Sequence, residues 1–499
     1  MSKRARFIKR PEIRLDATLP VPLYKQLYER LRGVILTGQL ERGARLPSTR
    51  TLASELGVAR MTTALAYQQL VLEGYLESRV GQGTVVARSL PVTLPGTEIA
   101  CSQEVRTDKG QTSFIHLAKS LRPLKDIPWP TRPEGQTGGT FSGGEPGLDL
   151  FPYEVWARLI ARRARQSLRE FAHYQPPAGY FPLREAIAAH IGVTRGVRCT
   201  PEQVIMTAGS QGALDLAVRT LLNPGEAAWL ENPGYFGARG ALLATGARLV
   251  PVPVDEQGLM VEIGRERCES ARLVSTTPSH QFPTGVTMSL ARRMLLLDWA
   301  RQAGAWILED DYDSEYRFSG RPLEALQGLD RDGRVLYIGT FSKVLFPALR
   351  LGYLVAPTEL IEPLLLMRRS LDMHLPMLEQ MALFDFLHEG YYARHLRRMR
   401  HHYQKLRDLL YRELQAHLGG LLEVHASEVG MHLVGWLSPG KDDRRAAQLA
   451  AQVGIQVLPV STYSLEPLPR GGLVFGYAGT DEEAIPHGVK RLRVALEHL

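Results

Sequence analysis

Between residues 89 and 139 the prolines Pro91, Pro95, Pro123, Pro128, Pro130 and Pro133 interleave with glycine, threonine and charged residues, and neither a helical nor a strand period survives. Such a stretch reads as a long linker, and it divides the chain into two unequal folding units. The length of 499 residues fits that division, because one hydrophobic core seldom serves so long a chain. Ahead of the linker, after a basic tail over 1–19, residues 20–88 carry three helical patterns and a glycine-punctuated hairpin. Behind it, over 140–499, apolar strand-like runs alternate with amphipathic stretches, the pattern of a parallel α/β sheet.

Composition sets outer bounds. A formal charge of +8 and a pI near 9.3 favour a polyanionic partner while saying nothing about fold. Cys101, Cys199 and Cys268 are far apart and show no metal-ligand or CxxC spacing, so neither a disulfide framework nor a metal site is expected, and a reducing cytoplasm suits them. The basic leader Met1 to Asp16 precedes no apolar signal core, and no run of about 18 apolar residues occurs, so neither secretion nor membrane spanning is expected.

In the first unit, Leu23, Leu27, Leu31, Ile35 and Leu36 recur at helical spacing. Leu46-Pro47-Ser48 then caps a short helix, Thr49 to Leu56, which Gly57 ends. A third helix is predicted from about Ala59 to Leu72, with Ala64, Leu65, Tyr67, Leu70 and Val71 as its apolar surface. Helix, tight glycine turn, helix is the helix-turn-helix pattern, whose second helix enters the DNA major groove by its N-terminal end. Arg60, Thr62 and Thr63 then fall near base edges or phosphates, and Ser48 and Arg50 near the backbone. Gly74 to Val86 alternates like two short strands forming a wing, with Gly81 and Gly83 free to approach a phosphate. A three-helix bundle without a nucleic acid role is the plain alternative.

The wording Leu46-Pro47-Ser48-Thr49-Arg50-Thr51-Leu52-Ala53, Leu56-Gly57-Val58-Ala59-Arg60, Glu73-Gly74 and Gly81-Gln82-Gly83-Thr84 resembles the GntR family of winged helices. The resemblance implies double-stranded DNA as partner and puts Arg50, Arg60, Thr62 and Gly81 at contacting positions. Met61 stands where a small polar residue is common, which leaves base specificity open.

In the second unit four strand-like runs, Val204–Thr207, Ala228–Leu230, Trp306–Leu308 and Val335–Ile338, each end in chemically suggestive residues. Ligands of open α/β sheets gather at the carboxyl ends of strands. There lie the small-residue loop Ala208-Gly209-Ser210-Gln211-Gly212, suited to a phosphate at a helix N-terminus, the acidic Glu309-Asp310-Asp311-Tyr312-Asp313, and Gly339-Thr340-Phe341-Ser342-Lys343 followed by Arg350. A glycine turn, a solvated acidic loop and a snorkelling lysine are the bland readings of the three taken singly. Together they match pyridoxal phosphate: Lys343 forming an imine with the aldehyde, a carboxylate against the ring nitrogen, and Thr340, Ser342 and Arg350 on the phosphate.

The span from about 140 to the C-terminus resembles fold-type I aminotransferases, as found in the MocR branch of GntR regulators. The resemblance implies a mostly parallel central sheet with a small C-terminal subdomain. It places Asp310, with Asp311 as fallback, on the ring nitrogen, Tyr312 on the phenolic oxygen, Tyr235 stacked on the ring, and Ser210 and Gln211 in the phosphate loop. It further implies a head-to-tail homodimer in which Tyr174 reaches the neighbouring subunit's phosphate.

Two departures from working aminotransferases stand out. Their Asn-Pro-Thr-Gly pattern, whose Asn touches the phenolic oxygen, reads Gln281-Phe282-Pro283-Thr284-Gly285 here, leaving His280 or Gln281 as substitutes. Where they carry a carboxylate-clamping Arg, this chain has Val474-Phe475-Gly476-Tyr477-Ala478, with Arg470 off register. The expected function is therefore a pyridoxal-phosphate-dependent, DNA-binding transcription regulator that senses the cofactor or an amine. An aminotransferase carrying a DNA-binding appendage is the alternative, and a DNA-binding protein with an inert scaffold domain is a third reading.

Overall fold

The computed structural model describes residues 13, 15–79, 83–90, 118–129, 139–166, 172–320, 323–497 and 499, which separate into two compact units divided between Phe114 and Ile115. The predicted Gly81, the basic leader through residue 12 and most of the proline-rich stretch lie outside the described residues.

The first unit is three helices and a hairpin. Helices α1 (Leu23–Leu36), α2 (Thr49–Leu56) and α3 (Arg60–Leu72) enclose Leu27, Leu31, Ile35, Leu52, Ala66, Tyr67 and Leu70. Strands β1 (Leu76–Arg79) and β2 (Gly83–Val86) pair antiparallel and close that core with Leu76 and Val86. The turn between α2 and α3 depends on Gly57, whose φ of 65° is a left-handed helix end that only glycine adopts without cost.

The second unit is an α/β sandwich with a smaller C-terminal subdomain. Its main sheet contains β3 (Val204–Thr207), β4 (Ala227–Asn232), β5 (Arg248–Asp255), β6 (Gly258–Leu259), β7 (Leu273–Thr276), β8 (Trp306–Asp311), β9 (Val335–Thr340) and β10 (Gly352–Val355), in the order β3-β10-β9-β8-β7-β4-β5-β6. The interior strands pair in parallel, but β10 runs antiparallel to both its neighbours. Its connection from β9 holds only a short 3-10 turn, and a parallel crossover needs a dozen or more residues, usually a helix.

Helices α4 (Tyr153–Gln166), α5 (Phe181–Arg195), α6 (Gly209–Leu221), α7 (Phe236–Ala244), α8 (Val261–Cys268), α9 (Leu290–Ala303), α10 (Leu326–Leu329), α11 (Thr358–Leu371), α12 (Leu378–His388) and α13 (Tyr391–Leu418) surround the sheet. Because successive strand residues face opposite sides, Ala228, Leu230, Leu308 and Leu336 join one core with α6, α7 and α11, while Trp229, Ile307 and Val335 join another with α8 and α9. The subdomain sheet β11 (Leu422–Val424), β12 (His432–Leu437), β13 (Leu458–Pro459) and β14 (Gly472–Gly476) is antiparallel, in the order β11-β12-β14-β13, and packs with α14 (Asp443–Gln452) and α15 (Ala484–Leu496). Among the described residues no helix is long and apolar enough to cross a membrane.

One part of the predicted linker is not a linker. Residues 118–129 form two 3-10 turns against α7, with Ile127 buried and Trp129 edge-on to Phe236 at 6.0 Å. Gly240 makes this possible, since a Cβ there would sit 2.5 Å from the Trp129 ring. The prolines dominated the composition of this stretch; the two apolar anchors between them decide its packing.

Candidate functional site

On the first unit the α2–α3 corner is fixed by two hydroxyls. Ser48 Oγ accepts the Thr51 N–H at 3.1 Å and so caps α2. Thr63, which the sequence placed near DNA, is fully buried instead, its hydroxyl 2.8 Å from the Thr49 carbonyl and 2.9 Å from that of Arg60. It clamps α3 to α2. Ser48, Arg50 and Arg60 are exposed and Thr62 is half-buried. Leu65, expected among the apolar packing positions, points to solvent.

On the second unit β3, β4, β8 and β9 all run the same way, so the loops that follow them share one edge of the sheet, where β10 also begins. Alternation along β8 separates its carboxylates. Asp311 turns away and is consumed by Arg195 Nε at 2.8 Å and the Tyr337 hydroxyl at 2.6 Å, which removes the fallback assignment. Asp310 is buried with Oδ1 unpartnered among the described residues. Burial first, then the charges of Asp311 and Glu231, push its carboxyl up to about 7, against the pull of Lys343.

Lys343 is half-buried and donates from Nζ to the Gly144 carbonyl at 2.6 Å. Desolvation lowers its pKa, opposed by Asp313, Asp310 and Glu145. Thr340 Oγ1 accepts the Ser342 N–H at 3.2 Å, while Ser342 Oγ is buried without a partner among the described residues. Arg350, in the left-handed region at φ 50°, donates to the Ala208 carbonyl at 2.8 Å. Its guanidinium lies against Gly209, where a Cβ would come within 3.1 Å of it, so the cation sits at the uncapped start of α6 beside Ser210. Gln211 donates to the Gly237 carbonyl at 3.0 Å. Burial and Asp310 push the Tyr235 phenol up to about 12, with Arg350 opposing, so this ring shares the field of both groups. Tyr174 does not join the cluster within one chain; it is 83% exposed.

The two residues read as substitutes for the missing Asn have different partners. Gln281 is a strut: its Nε2 donates to Glu231 Oε2 at 3.0 Å and the Pro233 carbonyl at 2.9 Å, and its Oε1 accepts from Thr284. His280 lies against Tyr312, with Nδ1 3.0 Å from the Tyr312 hydroxyl and 3.0 and 3.1 Å from the two oxygens of Asp313. Phe282 packs edge-on to Tyr235, Tyr312 and Tyr463 at 6.1, 6.0 and 4.9 Å, forming an aromatic wall.

Sequence reasoning missed several neighbours. Gly144 and its partner role to Lys343 lie in the glycine-rich start of the second unit, where Gly143-Gly144-Glu145-Pro146 was a usable signal. Asp313 stood in the acidic run after β8 without a role of its own, and His432 and Tyr463 gave no signal. His280, Asp313 and His432 offer metal-capable atoms within 4.8 Å of one another although they come from two loops and the start of β12, which no linear spacing reveals. His432 is held at Nε2 by the Pro283 carbonyl at 3.0 Å, and burial, followed by His280, pushes its pKa down to about 3. Val474 is buried in a small cluster with Val434 and Val460, and Arg470 pairs with Glu423. A separate cavity of about 780 Å³ between the main sheet and the subdomain is lined by Asn232, Arg267, His432, Glu466 and Arg470 and by none of the predicted cofactor residues.

A winged helix joined to an aminotransferase fold defines a class of regulators rather than of free-standing enzymes. Residues 23–86 match the bacterial regulatory proteins of the gntR family, and residues 141–492 match the aminotransferases of class I and II. The probable rhizopine catabolism regulatory protein MocR of Rhizobium meliloti is 40% identical over 482 residues, 96% of this chain and 95% of its own. The pyridoxine biosynthesis transcriptional regulator PdxR of Corynebacterium glutamicum is 32% identical over 475 residues, 95% and 96% of the two chains. A crystal structure of LysN, the α-aminoadipate aminotransferase of Thermus thermophilus, complexed with N-(5'-phosphopyridoxyl)-L-leucine, superposes with a TM-score of 0.66 at 32% identity, over 76% of this chain and 95% of that one. The chain belongs to the MocR-type, GntR-family helix-turn-helix transcription regulators, with a class I/II aminotransferase domain at its C-terminal end.

Proposed function

We propose that the aminotransferase-fold unit of this regulator binds pyridoxal 5'-phosphate through Lys343 and that the state of this site sets how the winged helix engages its operator. The observation that carries the reading is a pair of buried, unpartnered polar atoms, Asp310 Oδ1 and Ser342 Oγ, at the sheet edge that also presents Lys343 and Arg350. Leaving such groups unsatisfied costs about 1–3 kcal/mol each, which a ligand repays. Their chemistry fits the cofactor: a carboxylate for a ring nitrogen, and a hydroxyl and an arginine for a phosphate.

When bound, pyridoxal phosphate supplies an aldehyde that reacts with amines. The protein's residues prepare for it. Burial around Lys343 favours the neutral, nucleophilic amine. Asp310 holds a proton near neutral pH and releases it when a positive charge faces it. With the His280 Nδ1–H donating to the Asp313 carboxylate, the Tyr312 hydroxyl cannot use that nitrogen as an acceptor and keeps its own proton for the ligand. Thr340, Ser342, Ser210 and Gln211 would hold its phosphate, and Tyr235, edge-on to Phe282, would pack on its ring.

The effector is the cofactor itself or an amine that reacts with it. A head-to-tail homodimer in the cytoplasm, with Tyr174 completing the partner's phosphate site, presents two winged helices to repeated half-sites. The exposure of Tyr174 supports this role. The test is spectroscopic: protein loaded with pyridoxal phosphate and freed of excess is expected to hold a visible absorption band that Lys343→Ala loses. Absence of the band in the wild-type chain would overturn the proposal.

A further inference from the structure

The buried face of α3 is Thr63, Ala66, Tyr67 and Leu70, and it accounts for the core of the first unit. It leaves two large apolar side chains on the solvent side of the same helix's first two turns, Met61 at 68% and Leu65 at 41% exposure. Four residues apart on a helix, they are neighbours on one face. They are not surplus packing, since Ala66, Tyr67 and Leu70 already complete the core. Leu72, also exposed, is eleven residues beyond Met61, about 16 Å along the axis, and belongs to the other end of the helix.

The unit that carries the pair is cationic. Arg42, Arg45, Arg50 and Arg60 are exposed on this unit, and residues 20–88 hold nine Lys and Arg against five Asp and Glu. A tip of Met and Leu following Arg60 at the N-terminal end of a recognition helix, on a unit of net positive charge, matches the major groove, where phosphates flank base edges. Only one group on those edges is apolar, the C5 methyl of thymine; adenine, guanine and cytosine present donors and acceptors that an aliphatic side chain would strip of water without replacing.

We propose that Met61 and Leu65 select thymine at adjoining positions of each half-site by packing on its methyl group. The inference rests on the DNA-binding role of the winged helix and specifies what that helix reads. Met61 is a flexible thioether that fills irregular apolar gaps, and Leu65 is a fixed branched side chain, so the Leu65 position discriminates more sharply.

The test begins with selection of duplexes from a random pool by the full-length protein at fixed salt. Each thymine of the selected site is then replaced in turn by deoxyuridine, which keeps the hydrogen-bonding edge and removes the methyl. At two thymines wild-type affinity is expected to fall about 4-fold each, the loss of one buried methyl. Met61→Ala is expected to abolish the effect at one of them and Leu65→Ala at the other. Both side chains are exposed, so the variants should keep the wild-type circular dichroism spectrum. Specific binding that is indifferent to deoxyuridine at every position would overturn the proposal alone, and so would variants that leave DNA affinity unchanged while altering the oligomeric state, which would make the pair a protein-docking surface. Failure of the wild-type chain to select any sequence would overturn it together with the DNA-binding role.

Discussion

The consequences that single residues carry are most direct at Asp310. Its carboxyl is pushed up to about 7 in the folded site and titrates near 3.8 in the unfolded chain. A raised acid contributes stability that is fully present below the unfolded value and is lost as pH rises through the folded one. Cofactor-free protein is therefore expected to lose thermal stability progressively between about pH 4 and 7, and to level off above that, relative to Asp310→Asn, which carries no such proton. All six tryptophans lie beyond residue 115, so their fluorescence follows this unit alone. Parallel pH dependence in the two proteins would contradict the assignment. Gly430 offers a second residue-scale check. It has φ 99°, and a Cβ there would fall 2.0 Å from the His280 ring. Gly430→Ala combines backbone strain with overpacking and should cost about 2–4 kcal/mol by denaturant titration of the same fluorescence. It should also blunt cofactor binding by displacing His280 from Tyr312.

At the scale of elements, the hinge of the recognition corner is the cap and the clamp. Ser48→Ala is expected to remove about 1 kcal/mol from the winged helix by losing the α2 cap. A melt followed by far-ultraviolet circular dichroism, compared with the unchanged tryptophan transition of the second unit, measures it. This corner was legible from sequence almost to the residue, because Ser48, Gly57 and the apolar period are local signals that name their own geometry. The four strands bearing the site were legible for the same reason, as short apolar runs whose ends carry polar side chains. The misses share a physical origin. β10 turns antiparallel because its connection is short. Thr63 turns inward because a hydroxyl can satisfy two carbonyls at the α2–α3 contact. Residues 118–129 pack because Ile127 and Trp129 meet the small-residue surface of α7. Each depends on a neighbour distant in sequence, as do His280 with Asp313 and Lys343 with Gly144. Composition and period do not report such pairs.

The whole molecule has two units that fold around separate cores, and the proposal joins them: the winged helix engages DNA, and the aminotransferase-fold unit would hold pyridoxal phosphate on the half-buried Lys343. Affinity for any duplex should fall steeply with salt, since the positive winged helix releases counterions from the phosphates it meets, and anisotropy titrations at several salt concentrations give that slope. Sensing demands more than binding, because a ligand shifts an equilibrium only by its differential affinity for two states. Operator binding by the full-length protein, measured at one salt concentration with and without pyridoxal phosphate and for Lys343→Ala, tests the central claim most directly. The account predicts that loading changes the affinity or the footprint of the wild-type protein and leaves Lys343→Ala unmoved. Identical binding curves and footprints for loaded and cofactor-free wild-type protein, with the visible band present in the former, would contradict it.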